Sequence, residues 1–97
     1  MAVIDNGHFG ETGMQPSHTG RGLDLAAVAI ACGFAEARTA RELAGVAALR
    51  GALHAPAAGP RLFVIKVAAE NPPRSLPPRD AVYLKNRFRA GLGLAVF

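Results

Sequence analysis

The sequence predicts an α/β fold: a partial doubly wound parallel sheet of about three strands, with flanking helices and a C-terminal helix. Three observations predict it. Two short runs, Ala2-Val3-Ile4 and Leu62-Phe63-Val64-Ile65, are nearly continuous in apolar residues, as strands covered on both faces are. Between them lie two alanine-rich stretches with helical spacing of apolar residues. The resulting order, strand-helix-strand-helix-strand, makes two βαβ crossovers, and these imply a parallel sheet with right-handed connections.

Residues 2–5 form the first strand, which stops at Asp5-Asn6-Gly7. A polar, glycine-punctuated loop follows as far as Gly22, and long structureless loops in small domains tend to be functional or disordered. Asp24 is a good N-cap for a first helix, Leu25 to Cys32, and Gly33 supplies the left-handed residue that closes it. Leu25, Val28, Ala29 and Cys32 share its apolar face, so Cys32 reads as a core residue. Phe34 to Arg38 is the expected second strand. Thr39-Ala40-Arg41-Glu42 has the capping-box pattern and predicts the start of a second helix running to about Leu53. Its apolar face follows Leu43, Val46, Leu49 or Arg50, and Leu53. Leu62 to Ala68 is the clearest strand of the chain. Asn71-Pro72-Pro73 and Leu76-Pro77-Pro78 then require an extended connector. Asp80 caps a last helix, Ala81 to Ala90, ended by Gly91 and Gly93. Residues 1–70 therefore make up the α/β unit, and residues 71–97 the proline-rich connector and C-terminal helix.

Composition narrows the function classes. The formal net charge is +4, but acids are interspersed with bases and there is no run of five or more like charges. One cysteine excludes an intramolecular disulfide. No Cys/His spacing for zinc is present, no apolar stretch reaches membrane-spanning length, and no signal-peptide pattern opens the chain. No membrane partner is expected, and the expected location is the cytoplasm. A Walker lysine motif and a Gly-x-Gly-x-x-Gly are both lacking, so nucleotide binding is not supported.

The chemistry-bearing stretch is the loop after the first strand. In open α/β sheets ligands bind at the carboxyl ends of strands. Small backbones and side-chain oxygens suit a hard cation with a phosphate. Asn6-Gly7 is equally the commonest two-residue hairpin turn. The residues alone leave turn and ligand loop open, although no alternating β-run follows Gly7.

Val3-Ile4-Asp5-Asn6-Gly7-His8-Phe9-Gly10-Glu11-Thr12-Gly13-Met14-Gln15-Pro16 resembles the metal-binding loop of thiamine diphosphate-dependent decarboxylases, in particular the phosphonopyruvate and sulfopyruvate decarboxylase group. The stretch from Leu76 to Arg89 is similar to the C-terminus of that group. The resemblance implies the distal part of a thiamine diphosphate-binding domain, with magnesium clamping the cofactor's diphosphate to the protein. It implies the Asn6 side-chain oxygen and the His8 backbone carbonyl as metal ligands. Asn6, Gly7, His8, Gly10 and Thr12 become the cofactor-binding residues, Gly7 and Gly10 by allowing close backbone approach. Glu11 and Gln15 are further candidates for reaching cofactor or substrate, each balanced against a solvated loop position. Asp5 is expected to point away from the ligands and to act structurally.

The same resemblance implies decarboxylation of a 2-oxo acid in a fuller assembly, with a pyrimidine-binding domain or subunit and a homo- or hetero-oligomer as partners. The family's Gly-Asp-Gly motif and its pyrimidine-contacting glutamate have no counterpart in these residues, so the chain alone is expected to be inactive. Other function classes compete with this one. The chain could be a non-catalytic small-ligand-binding or structural subunit. Tyr83, Lys85, Arg87, Phe88 and Arg89 could instead make a basic nucleic-acid-binding surface, but a solvated helix face is preferred and nucleic acid is not an expected partner.

Overall fold

A computed structural model describes residues 1–97 throughout. In chain order the elements are β1 (Ala2–Asp5), β2 (His8–Phe9), β3 (Gln15–Pro16), a 3₁₀ turn (His18–Arg21), α1 (Leu25–Ala31), β4 (Glu36–Ala40), α2 (Leu43–His54), β5 (Arg61–Lys66) and α3 (Ala81–Gly91). β1, β5 and β4 form a parallel three-stranded sheet in that order, and β2 and β3 form a small antiparallel hairpin. The last strand in sequence therefore lies at the centre, between the first two. This is the parallel α/β sheet with flanking helices that the apolar runs predict.

β5 owes its central place to its composition. Leu62, Phe63 and Val64 are all buried. Alternation sends Leu62 and Val64 to one face, where they meet Ala29 of α1 with Val3, Leu25, Phe34 and Ala37 around them. It sends Phe63 to the other face, against Ala40 and Leu49, with Val46, Ala52 and Ile65 completing that cluster. The first crossover runs outward past the β5 position and the second runs back. Connections of one hand then place α1 and α2 on opposite faces, as observed.

Caps behave largely as the sequence implies. The Asp24 carboxylate accepts hydrogen bonds from the Ala26 and Ala27 N–H groups, and Asp80 does the same for Val82 and Tyr83. At the end of α1, Phe34 N–H donates to the Ala29 carbonyl and Gly33 N–H to that of Ile30, with Gly33 at φ 87°. This is a Schellman closure.

That closure accounts for one correction. The second strand is Glu36–Ala40, not Phe34 to Arg38, because Phe34 is still engaged in ending the helix. A second correction follows. Thr39 and Ala40 are the last residues of β4, paired with Val64 and Ile65, so they do not open a capping box. Glu42 precedes α2 in extended conformation and makes no side-chain cap bond. Sheet pairing has overridden a local helix signal. α2 buries Leu49 with Val46 and Ala52 beside it, whereas Leu43 is 88% exposed. Cys32 is exposed, not core, and Val28 on the same side of α1 is 44% exposed, because α1 meets the sheet through Leu25 and Ala29. β5 also ends at Lys66, short of Ala68.

The connector, residues 71–80, carries no regular structure. α3 buries no residue. Its tail folds back on it: Lys85 Nζ donates to the Phe97 carbonyl, Arg89 Nε donates to that of Ala95, and both cations lie over the Phe97 ring. The radius of gyration is 16.9 Å, against about 12–13 Å for a fully compact chain of this length. Only 8 of 97 residues are buried. No helix is long and apolar enough to cross a membrane.

Candidate functional site

The loop after β1 is held by one carboxylate. Asp5 is the last residue of β1 and lies opposite Lys66, the last residue of β5, in the parallel register. Its side chain is 6% exposed. Oδ1 accepts from the Gly7 N–H at 2.8 Å and from the Thr19 hydroxyl at 2.7 Å, and Oδ2 accepts from Lys66 Nζ at 2.5 Å. Burial alone would push this carboxyl up. The hydrogen bonds from Lys66, Thr19 and Gly7, together with the Lys66 charge, outweigh burial and hold it below the ordinary aspartate range. Asp5 is thus the structural residue that the sequence implies.

This anchoring fixes the turn that follows. Gly7 is buried at φ 69°, a conformation that favours glycine. A Cβ on Gly20 would lie 2.2 Å from the Gly7 carbonyl oxygen, so the 3₁₀ turn lies directly against the loop's first residues. The Ser17 N–H donates to the Gly7 carbonyl at 2.8 Å, and the Ser17 and Thr19 hydroxyls are 2.8 Å apart.

Asn6 and His8 form a reciprocal pair. The Asn6 side-chain oxygen accepts the His8 N–H at 2.9 Å, and His8 Nδ1 lies 3.0 Å from the Asn6 carbonyl, which requires the proton on Nδ1. The imidazole is thereby committed to the backbone. Across the hairpin His8 faces Pro16, which has no N–H to donate, so the hairpin does not take up the His8 carbonyl through that residue. The Asn6 amide oxygen retains a second lone pair. Both groups are neutral oxygen donors, the class that magnesium takes. No group of three or more His, Cys, Asp or Glu side chains is placed to hold a metal ion. The Asn6 amide oxygen is thus a neutral oxygen with a lone pair to spare at the carboxyl end of β1.

Gly10 sits beneath two amides: a Cβ there would come 3.1 Å from Asn71 Oδ1 and 3.5 Å from Asn6 Nδ2. Asn71 Nδ2 also donates to the Gly10 carbonyl at 3.2 Å. Asn6, Gly7, His8 and Gly10 therefore belong to one constellation. Thr12 does not. It is exposed at the hairpin tip, where its carbonyl accepts from Gln15 Nε2. Glu11 is turned to Arg74 in an exposed ion pair. Asn6-Gly7 is not a hairpin turn between adjacent strands. The hairpin begins after it, closes through Gly10–Met14, and was not anticipated in the sequence because each arm has only two residues.

Sequence reasoning missed Lys66 and Thr19 as partners of Asp5. The available signal was that Asp5 ends one apolar run and Lys66 is the one charged residue within the other, in strands expected to be parallel. Comparison with protein-family models, curated proteins and solved structures finds no match to this chain. The resemblance to thiamine diphosphate-dependent decarboxylases therefore rests on the motif residues themselves.

Proposed function

We propose that this chain forms one side of the magnesium and thiamine diphosphate site of a 2-oxo acid decarboxylase of the phosphonopyruvate or sulfopyruvate type. The observation that supports the reading is the Asn6–His8 turn. At the carboxyl end of a parallel strand it holds an amide oxygen and a loop carbonyl two residues apart, within a sequence that resembles the family's loop. Asn6 and His8 would hold the metal in this proposal, and the diphosphate would reach Gly7 and Gly10 only once Gly20 and Asn71, which pack on them, give way. Thr12 joins them only if the hairpin tip turns inward on binding.

When bound, thiamine diphosphate supplies the electron sink for the pair that departing carbon dioxide leaves behind. What these residues contribute is binding and orientation. The Asp5 clamp keeps the turn in one geometry before any ligand arrives, and preorganisation of this kind lowers the cost of binding. A pyrimidine-binding domain or subunit, the 2-oxo acid substrate, assembly into an oligomer and a cytoplasmic location are parts of the same proposal. Exposed apolar side chains such as Ile4 and Leu43 support the assembly.

Calorimetry with thiamine diphosphate, with and without magnesium, tests the reading on the chain and on its Asn6→Ala variant. Weak binding that requires magnesium and is lost in the variant is expected. Binding indifferent to both magnesium and the substitution, or no binding at all, overturns it.

A further inference from the structure

A cavity of about 250 Å³ opens at the carboxyl end of the sheet on the α1 side. None of Asn6, Gly7, His8, Gly10 or Thr12 lines it. Parallel register and side-chain alternation bring its floor together. Val64 faces α1, Thr39 lies beside Val64 in the register, and Asp5 lies beside Lys66. Leu23 and Leu25 close the side nearest α1, and Arg41 enters from the segment between β4 and α2.

The polar groups in this cavity divide by sign. Its two carboxylates are already engaged: Asp5 by Gly7, Thr19 and Lys66, and Asp24 by the first N–H groups of α1. Its donors are not. Arg41 makes no ion pair, and neither Arg41 nor Thr39 makes a side-chain hydrogen bond within the chain. The Lys66 ammonium has three N–H donors and gives one to Asp5. Unused hydrogen-bonding capacity is thus donor-rich, while Leu23, Leu25 and Val64 supply an apolar wall. The volume lies below the range of pockets for drug-sized molecules.

From this juxtaposition we infer that the cavity is a binding site for a short-chain carboxylate. The carboxylate pairs with the planar fork of Arg41, which matches it in two parallel hydrogen bonds. The Thr39 hydroxyl and a spare Lys66 N–H take the remaining lone pairs, and the hydrocarbon tail lies on Leu23 and Leu25. Asp5 and Asp24 offset Lys66 and Arg41, so the lining is neutral overall; the preference for an anion comes from the unused donors, and a single negative charge leaves less imbalance than a dianion. This site does not rest on the thiamine diphosphate reading, since it shares no proposed ligand residue with it.

Titration of the ¹⁵N-labelled chain with butyrate tests the proposal, with butylamine and inorganic phosphate as comparators. Butyrate is expected to give saturable, millimolar-range shifts at the Thr39, Arg41 and Lys66 amides, and butylamine none. Arg41→Gln, a change at an exposed position, is expected to weaken butyrate binding about tenfold, as loss of a charge-assisted pair does. Thr39→Val is expected to weaken it less. The absence of saturable shifts with butyrate overturns the site, as does an equal response to butylamine or an undiminished affinity in Arg41→Gln. Tighter binding of phosphate than of butyrate overturns the carboxylate assignment.

Discussion

Removing the Asp5 carboxylate should loosen the loop and lower stability, by an amount that depends on which of its three contacts survives. In Asp5→Ala the buried Gly7 N–H loses its acceptor, which costs about 1–3 kcal/mol. Thr19 loses less, because the Ser17 hydroxyl 2.8 Å away can accept in place of Asp5. The Lys66 side chain is 24% exposed and can turn toward water in the cavity, so loss of the pair adds only about 1 kcal/mol. The expected total is about 2–4 kcal/mol. Asp5→Asn keeps an oxygen for Gly7 and Thr19 but turns an amide N–H₂ toward the Lys66 ammonium, and should cost about 1–2 kcal/mol. The carboxyl is held below its ordinary value. Its contribution is therefore fully present above the unfolded-state value, near 4, and is lost as pH falls through the lower folded-state value. Urea denaturation followed by far-UV circular dichroism, at neutral pH and near pH 3, reads both effects. The gap between wild type and Asp5→Asn should narrow in acid. Variants within about 0.5 kcal/mol of wild type at neutral pH, or a gap that widens in acid, would refute the reasoning.

Four other substitutions or measurements probe the same framework. Gly20→Ala places a methyl group 2.2 Å from the Gly7 carbonyl oxygen and should cost about 2–3 kcal/mol in the same denaturation assay. Gly51→Ala meets nothing within 4 Å on an exposed turn of α2, and should raise stability by about 0.5–1 kcal/mol. Phe63, 1% exposed at the centre of the sheet, should cost about 3–5 kcal/mol as Phe63→Ala, enough to abolish cooperative melting in a chain with so small a core. The exposed edge of β1 and the apolar residues around it predict dimers or larger species by light scattering at high concentration; a strictly monomeric profile there would count against the assembly.

The parts of the fold legible in the sequence are those decided by neighbours along the chain. Asp24 and Gly33 delimit α1 because capping is local chemistry, and Asp80 opens α3 for the same reason. β5 is legible because three consecutive buried positions leave no polar residue to confuse the pattern. The errors fall where a distant strand decides. Thr39 satisfies a capping-box pattern, yet its backbone is paired with Val64, 25 residues on, and that pairing moves the start of α2. Within the site, the Asn6–His8 turn follows from Asx-turn chemistry and is readable from three residues. The Asp5–Lys66 pair spans 61 residues and depends on the order β1-β5-β4, which strand composition alone does not specify. The donor-rich cavity depends on the same order, since Thr39 and Lys66 become neighbours only when β5 inserts beside β4.

That dependence links the loop to the last strand of the sheet. β1 and β4 each pair with β5 and not with one another, so neither has a sheet partner until β5 arrives. Asp5 then receives two contacts from that side: Lys66 Nζ on its carboxylate, and the Val67 N–H on its carbonyl at 3.0 Å. Asn71 reaches Gly10 and Arg74 reaches Glu11 from the segment just beyond. Every tie between the loop and the C-terminal side of the chain thus follows β5 docking. Contacts of such long sequence separation carry a large closure cost before they yield any stabilisation. The Asn6–His8 turn can form locally, but its position relative to the sheet, and the cavity beside it, should be established only with the native sheet and in the same cooperative step.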